Sequence, residues 1–250
     1  MTTGKTRSTR EPGRFGHIFG KRSNSGLNGM YRFSHGVDKA WRGAIINHLI
    51  TLYSYENYLE IGLGKPKFLH DWVLANNKIS VDPDPTVPAT FSMTSDEFFE
   101  QNEQFFDLIF IDGLHTGDQV EKDITNALQI LSPGGIILLH DLNPPDALHA
   151  REEFCVNGRF PPWNGTSWQG YARHRKNSPN LEMYVIDTDY GVGFVRPGRQ
   201  TCYEGPVDTY EDLDLDRGNM LNLISMREFL MRHPAFKRPS RLIDPLLSRI

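Results

Sequence analysis

The chain has 250 residues, a formal net charge of −4, a pI near 6.1 and two cysteines. That length can bury a large core, the near-neutral balance carries no nucleic-acid signature, and Cys155 and Cys202 are too few for a disulfide framework or a zinc motif. No segment approaches the roughly 20 apolar residues of a membrane helix and no signal-peptide core opens the chain, so a soluble, cytoplasmic protein with free thiols is expected.

Residues 1–29 read as a flexible arm punctuated by glycine, and positions 1–35 set seven basic residues, among them Lys5, Arg10 and Lys21, against Glu11 alone. A solvated tail is the plainer reading; contact with phosphate or an acidic partner is the other. The expected main domain spans 30–200, and 201–250 reads as a C-terminal extension with an acidic loop and a short helix. Val37 to Leu52 has helical spacing, and 57–61 reads as the first strand. A helix over 67–76 and a short strand at 79–82 follow, then a weak strand near 87–91 and a short helix over 96–103. Phe106 to Asp112 is a strand whose continuous Leu-Ile-Phe-Ile run suits a sheet covered on both faces. A helix over 118–131 is stopped by Ser132-Pro133-Gly134-Gly135, which turns the chain into a buried strand over 136–139. Ala147 to Cys155 reads as helical and 159–170 as a loop. Strands at 183–186 and 191–195 suggest an antiparallel edge hairpin. The acidic stretch 204–217 reads as irregular, and Ser225 to Glu228 as the capping box of a short helix. The alternation predicts an α/β fold with a mostly parallel sheet.

Three predicted strand ends carry the chemistry. Glu60-Ile61-Gly62-Leu63-Gly64 runs from a strand into a glycine turn, but the full dinucleotide pattern is absent because Lys65, Pro66 and Lys67 follow. Asp82, closing the second strand, could accept hydrogen bonds from ribose hydroxyls, a geometry shared by nicotinamide and S-adenosylmethionine sites; the bland reading is a turn carboxylate before Pro83. Glu60 could hold the turn or a cationic part of a cofactor, or serve only as a loop partner. Thr94 and Ser95 could place hydroxyl and backbone groups near an adenine.

Asp112 and Asp141 end adjacent strands in this ordering, and two converging carboxylates repel unless protonated, paired with a base or bridged by a cation. A divalent ion with oxygen ligands is the simplest solution, with Asn143 as a further oxygen donor; loop anchoring is the rival reading. His115, three residues beyond Asp112, could take a proton from a hydroxyl beside such an ion, or simply bond at the start of the next helix. His140 is placed as an orienting neighbour. Trp163, Trp168 and Tyr171 surround Asn164-Gly165-Thr166-Ser167 and could cover an acceptor or close an auxiliary core.

The segments YLEIGLG, SVDPDP and FFDLIFIDGLHTGDQVEKDITNALQILSPGGIILLHDLNP, over about 57–145, resemble the class I S-adenosylmethionine-dependent methyltransferases. The flavour is that of the metal-dependent macrocin and mycinamicin sugar O-methyltransferases, with weaker similarity in WNGTSWQGY and in DYGVGF. The resemblance implies a Rossmann-like fold. It also implies S-adenosyl-L-methionine bound by Glu60, Gly62, Gly64 and Asp82, magnesium held by Asp112 and Asp141, and His115 as general base. In catechol-type relatives an asparagine directly follows the second aspartate; here Leu142 stands there and Asn143 comes one residue later.

The expected function is O-methylation of a small molecule bearing a hydroxyl, a sugar, glycoside or other natural product, assisted by magnesium. Metal-independent transfer using Asp112 and His115 is one rival. A cofactor-binding scaffold without turnover is the other. No nucleic-acid or membrane partner is expected, and the terminal segments are the candidate contacts of a homo-oligomer.

Overall fold

The computed structural model describes residues 40–65 and 67–235. The basic arm of 1–29 and the end of the chain beyond 235 lie outside the described residues. In chain order the elements are α1 (Arg42–Tyr53), β1 (Asn57–Ile61), α2 (Phe68–Trp72), β2 (Asn77–Val81), α3 (Ser95–Gln101), β3 (Phe106–Ile111) and α4 (Gly117–Gln129). They continue with β4 (Leu131–Leu139), α5 (Ser167–Asn177), β5 (Leu181–Ile186), β6 (Val192–Pro197), α6 (Tyr210–Met220), β7 (Leu223–Ile224) and α7 (Met226–Arg232).

One sheet runs in the order β2-β1-β3-β4-β6-β5-β7. The pairs β1–β2, β1–β3, β3–β4 and β5–β7 are parallel, and β6 runs antiparallel to both β4 and β5. The predicted hairpin forms as β5 and β6. It wedges β6 beside β4, and the outermost position on that side goes to the two-residue β7.

Period-two alternation divides the core into two layers. Leu59, Ile109, Ile111, Ile137 and Leu139 pack with Val120 and Ile124 of α4, Trp168 and Tyr171 of α5 and Leu213 of α6. Tyr58, Leu108, Phe110, Ile136 and Leu138 pack with Ile45, Ile46 and Leu49 of α1, Leu69 of α2 and Phe229 of α7. Strands covered on both faces need unbroken apolar runs, and Leu108–Ile111 of β3 and Ile136–Leu139 of β4 are such runs.

Several expectations need correction. The Ser132–Gly135 turn does not precede β4 but lies within it as a bulge: Phe106 pairs with Leu131 and Leu108 with Ile136, so β4 takes five steps against two on β3. Residues 147–155 are not a helix. Asp146 caps a single turn through His149 N (3.0 Å) and Ala150 N (3.1 Å, to its carbonyl), after which the chain leaves. The supposed loop at 159–170 ends in α5, whose Trp168, Tyr171, Ala172 and Arg175 are buried at helical spacing. The acidic stretch is not irregular either. Thr209 and Asp212 form a capping box that starts α6, whose acidic side chains look outward while Leu213, Arg217 and Met220 are buried. The weak strand near 87–91 shrinks to one bridge between Val81 and Phe91. Among the described residues no helix is long and apolar enough to cross a membrane.

Candidate active site

In a parallel sheet the ligand crevice opens where the strand order reverses, beyond the carboxyl ends of the strands. Here β1 sits between β2 and β3, so the reversal falls at β1, and the predicted chemical residues follow these tips. Gly62 N donates to Val81 O (2.8 Å), Asp112 N to Ile61 O (2.8 Å) and His140 N to Ile111 O (3.1 Å), which stitches the tips of β2, β1, β3 and β4 together.

At the glycine turn, Gly62 has φ +85° and Gly64 φ +61°. Gly64 N donates to Asp82 Oδ2 (2.9 Å) and Asp84 N to Asp82 Oδ1 (2.9 Å), so the Asp82 carboxylate pins both loops while each oxygen keeps acceptor capacity. Glu60 lies under the turn, buried, accepting from Tyr58 Oη (3.1 Å) with His70 Nδ1 at 3.0 Å. Burial raises its pKa and those two partners oppose the rise. Its side chain therefore ties α2 to β1. Thr94 caps α3 in a capping box with Glu97, and the Ser95 hydroxyl accepts from Gln119 Nε2 (3.2 Å).

Beyond β3 and β4, one donor atom each from Asp112, His115 and Asp141 lie within 4.8 Å of one another. His115 Nε2 is 3.3 Å from Asp112 Oδ1, and its Nδ1 is 3.4 Å from Asp141 Oδ2 and 3.3 Å from the Trp163 carbonyl. His140 is more central than an orienting role requires, because its Nδ1 sits 3.3 Å from both Asp112 Oδ1 and Asp141 Oδ1. Asn143 is tied to other segments. Its Oδ1 accepts from Arg217 Nη1 (2.7 Å) and its Nδ2 donates to Asp187 (3.4 Å), so α6 grips the loop just after Asp141.

Three further residues complete the cluster. Arg42, the first residue of α1, lies with Nε 3.8 Å from Asp112 Oδ2 and Nη1 3.1 Å from Asp189 Oδ2. Asp189, on the β5–β6 turn, accepts from Arg42 N (2.9 Å), capping α1 from across the fold, and approaches His140 Nε2 at 3.6 Å. Asn164 Nδ2 donates to Asp141 Oδ1 (2.6 Å). Asp141 and Asp189 both have left-handed backbone, φ 59° and 46°, which non-glycine residues hold only under surrounding constraint. Asn164 and Asp189 fall in the two segments where the resemblance was weaker, and Arg42 carried no local signal.

Charge balance follows from this geometry. Burial favours neutral Asp112, but His140 and His115 outweigh it and hold the carboxyl well below its usual range. Burial likewise lowers both imidazoles, yet Asp112 and Asp141 reverse this and raise them, His140 strongly. Asp189 is drawn down to about 2, with His140 and Arg42 overriding burial. Three carboxylates thus face Arg42 and two imidazoles that favour their charged form.

The aromatic residues divide. Trp168 and Tyr171 are buried in the core, whereas the Trp163 ring stacks on His115 with centroids 5.1 Å apart.

The sheet order, the two covering layers and the ligand groups at these tips decide the architecture. The fold is a class I methyltransferase fold. Residues 59–142 match the family model described as a methyltransferase domain. Cofactor-bound Rv0187 from MTB superposes with a TM-score of 0.50 at 13% identity, covering 64% of this chain and 80% of that one. TomG from Streptomyces achromogenes, an O-methyltransferase involved in tomaymycin synthesis and solved with SAM, gives 0.45 at 13% identity over 63% and 79%. The mycinamycin-pathway methyltransferase MycE, solved with Mg and SAH, gives 0.38 at 15% identity over 70% and 54%. At 13% identity the likeness to Rv0187 speaks for the fold alone. No curated protein sequence matches the chain.

Proposed function

We propose that the protein is an S-adenosylmethionine-dependent O-methyltransferase acting on a hydroxyl of a small molecule, in the manner of natural-product enzymes. The observation that carries this reading is the convergence of Asp112, His115 and Asp141 beside the Gly62–Gly64 turn and Asp82. Asp82 would accept from the ribose hydroxyls, and the open space over Gly64 leaves room for close approach of the cofactor. S-adenosylmethionine would supply the methyl group: an O–C bond forms as the S–C bond breaks, and the bonding pair stays on sulfur. His115, in its neutral form, would take the hydroxyl proton; a cation held by Asp112 and Asp141 would favour that form by offsetting the carboxylates that otherwise keep the imidazole charged. Its place between two carboxylates stabilises the imidazolium that results.

The Asp112 and Asp141 oxygens would suit a small divalent cation with His115 beside them as base, and the Asn143 oxygen, the proposed further ligand, also accepts from Arg217. Asp112 and Asp141 would hold magnesium, whose charge would favour the ionised acceptor. A metal-independent reading draws support from His140, an imidazole between the same carboxylates whose charged form they favour.

Calorimetric titration with S-adenosylhomocysteine tests the cofactor, and absence of binding would end the proposal. His115→Ala should abolish single-turnover methylation while leaving cofactor affinity intact. Activity that survives EDTA and gains nothing from added magnesium would decide for His140 over the cation.

A further inference from the structure

The chain between β4 and α5 is built around one side chain. The Arg151 guanidinium donates to the carbonyls of Leu148, Phe154 (3.0 Å), Pro161 (2.9 Å) and Pro162 (2.8 Å), while the Arg151 carbonyl accepts from Trp163 Nε1 (2.8 Å). Asn157 and Gly158, both at positive φ (49° and 71°), make the reversal favoured in two-residue hairpins, with Val156 and Arg159 exchanging both backbone hydrogen bonds at 2.9 Å. This folds Phe160 onto Phe154, ring centroids 5.1 Å apart, and Phe154 packs on Trp163 at 5.2 Å. Trp163 in turn stacks on His115. The loop is anchored to the reacting centre at its far end, where Asn164 bonds Asp141. A continuous row of rings therefore runs outward from His115, yet Phe154 and Phe160 are 53% and 65% exposed. A loop braced this firmly that leaves its aromatic faces in water has the character of a binding surface.

We propose that this row, Trp163–Phe154–Phe160, is an acceptor ledge that selects a hydroxyl carried on a flat apolar ring system over one on a free sugar. The inference rests on the methyl-transfer reading and names its substrate class. Apolar rings gain by covering exposed aromatic faces, whereas a sugar presents hydroxyls that the ledge, bare of side-chain donors at Phe154 and Phe160, leaves unpaired.

The test uses two probes, 2,3-dihydroxynaphthalene and methyl α-D-glucopyranoside, titrated calorimetrically into the full chain with and without S-adenosylhomocysteine. The naphthalene should bind at least ~10-fold more tightly than the glucoside. The double variant Phe154→Ala/Phe160→Ala should lose ~10-fold or more of that affinity while binding S-adenosylhomocysteine as the parent does. Equal affinity for both probes, binding of neither, or an unchanged preference in the variant would overturn the ledge. So would a change of oligomeric state in the variant, seen by sedimentation, with the preference intact, since the rings would then be a contact between copies. If S-adenosylhomocysteine fails to bind but the naphthalene preference persists, the ledge stands and methyl transfer falls.

Discussion

The two glycines of the first turn look equivalent in sequence, and the structure separates them. A Cβ on Gly62 would lie 2.2 Å from the Asp112 carbonyl oxygen and 2.6 Å from Gly113 Cα, whereas one on Gly64 meets nothing within 4 Å. Ordinary Cβ contact begins at 3.4 Å, so Gly62→Ala must push β1 and β3 apart by more than 1 Å at their tips. Left-handed backbone costs an alanine ~1–2 kcal/mol at either position. Overpacking adds ~1–3 kcal/mol at Gly62 only. A total near 3 kcal/mol, at ~2–4 °C per kcal/mol for a chain of this size, predicts a Tm fall of about 6–12 °C for Gly62→Ala and ~2–8 °C for Gly64→Ala. The rate discriminates more sharply. Because the clash falls on Asp112 itself, and a displacement of ~1 Å at a reacting centre can cost ~100-fold, kcat at saturating cofactor should fall about that much in Gly62→Ala. Gly64→Ala should act on the cofactor KM and leave kcat nearly unchanged. Differential scanning fluorimetry and radiolabelled methyl transfer would measure both. A Gly62→Ala protein that melts within 1 °C of the parent (about the scatter expected for a change worth less than 0.5 kcal/mol) and turns over normally would refute this account.

Asn164→Ala removes a buried donor to a carboxylate and should cost ~1.5–3 kcal/mol, read as a lower Tm together with a kcat decrease of ~10-fold or more; unchanged kcat would show that Asp141 needs no such support. His233 is bonded to the Tyr53 and Tyr184 hydroxyls, and burial, with Arg196 second, brings its pKa from 6.5 to about 4. The unfolded chain therefore binds this proton first as pH falls. The contribution is complete above pH 6.5 and is lost progressively between 6.5 and about 4. Its ceiling is roughly 3 kcal/mol, reduced by solvent screening. Denaturant titrations at pH 7 and pH 5 should show His233→Gln losing less stability on acidification than the parent; equal losses would remove His233 as the acid-sensitive group.

Amino-acid order alone determined the parallel half of the sheet and its polar tips. Leu108 to Ile111 and Ile136 to Leu139 are apolar without interruption because both faces are covered; Asp112 follows the first directly and Asp141 follows the second after His140. The helical spacing of Trp168, Tyr171, Ala172 and Arg175 was equally present in the text of the chain, but Gly and Trp around it read as loop. In α6 the acidic side chains that suggested irregular chain are the solvent face of a helix whose capping box is local and whose buried face is sparse. Tertiary structure alone decided the company each tip keeps. Arg42 and Asp189 are 147 positions apart yet share a hydrogen bond, since α1 begins where the β5–β6 turn arrives. Asn143 and Asn164 are both buried asparagines near Asp141, and only packing against α6 turns the first towards Arg217 while the second meets the carboxylate. Local pattern records which faces must be dry and where a strand must stop. Which charges then neutralise one another depends on contacts between segments far apart in the chain, and no short window contains them.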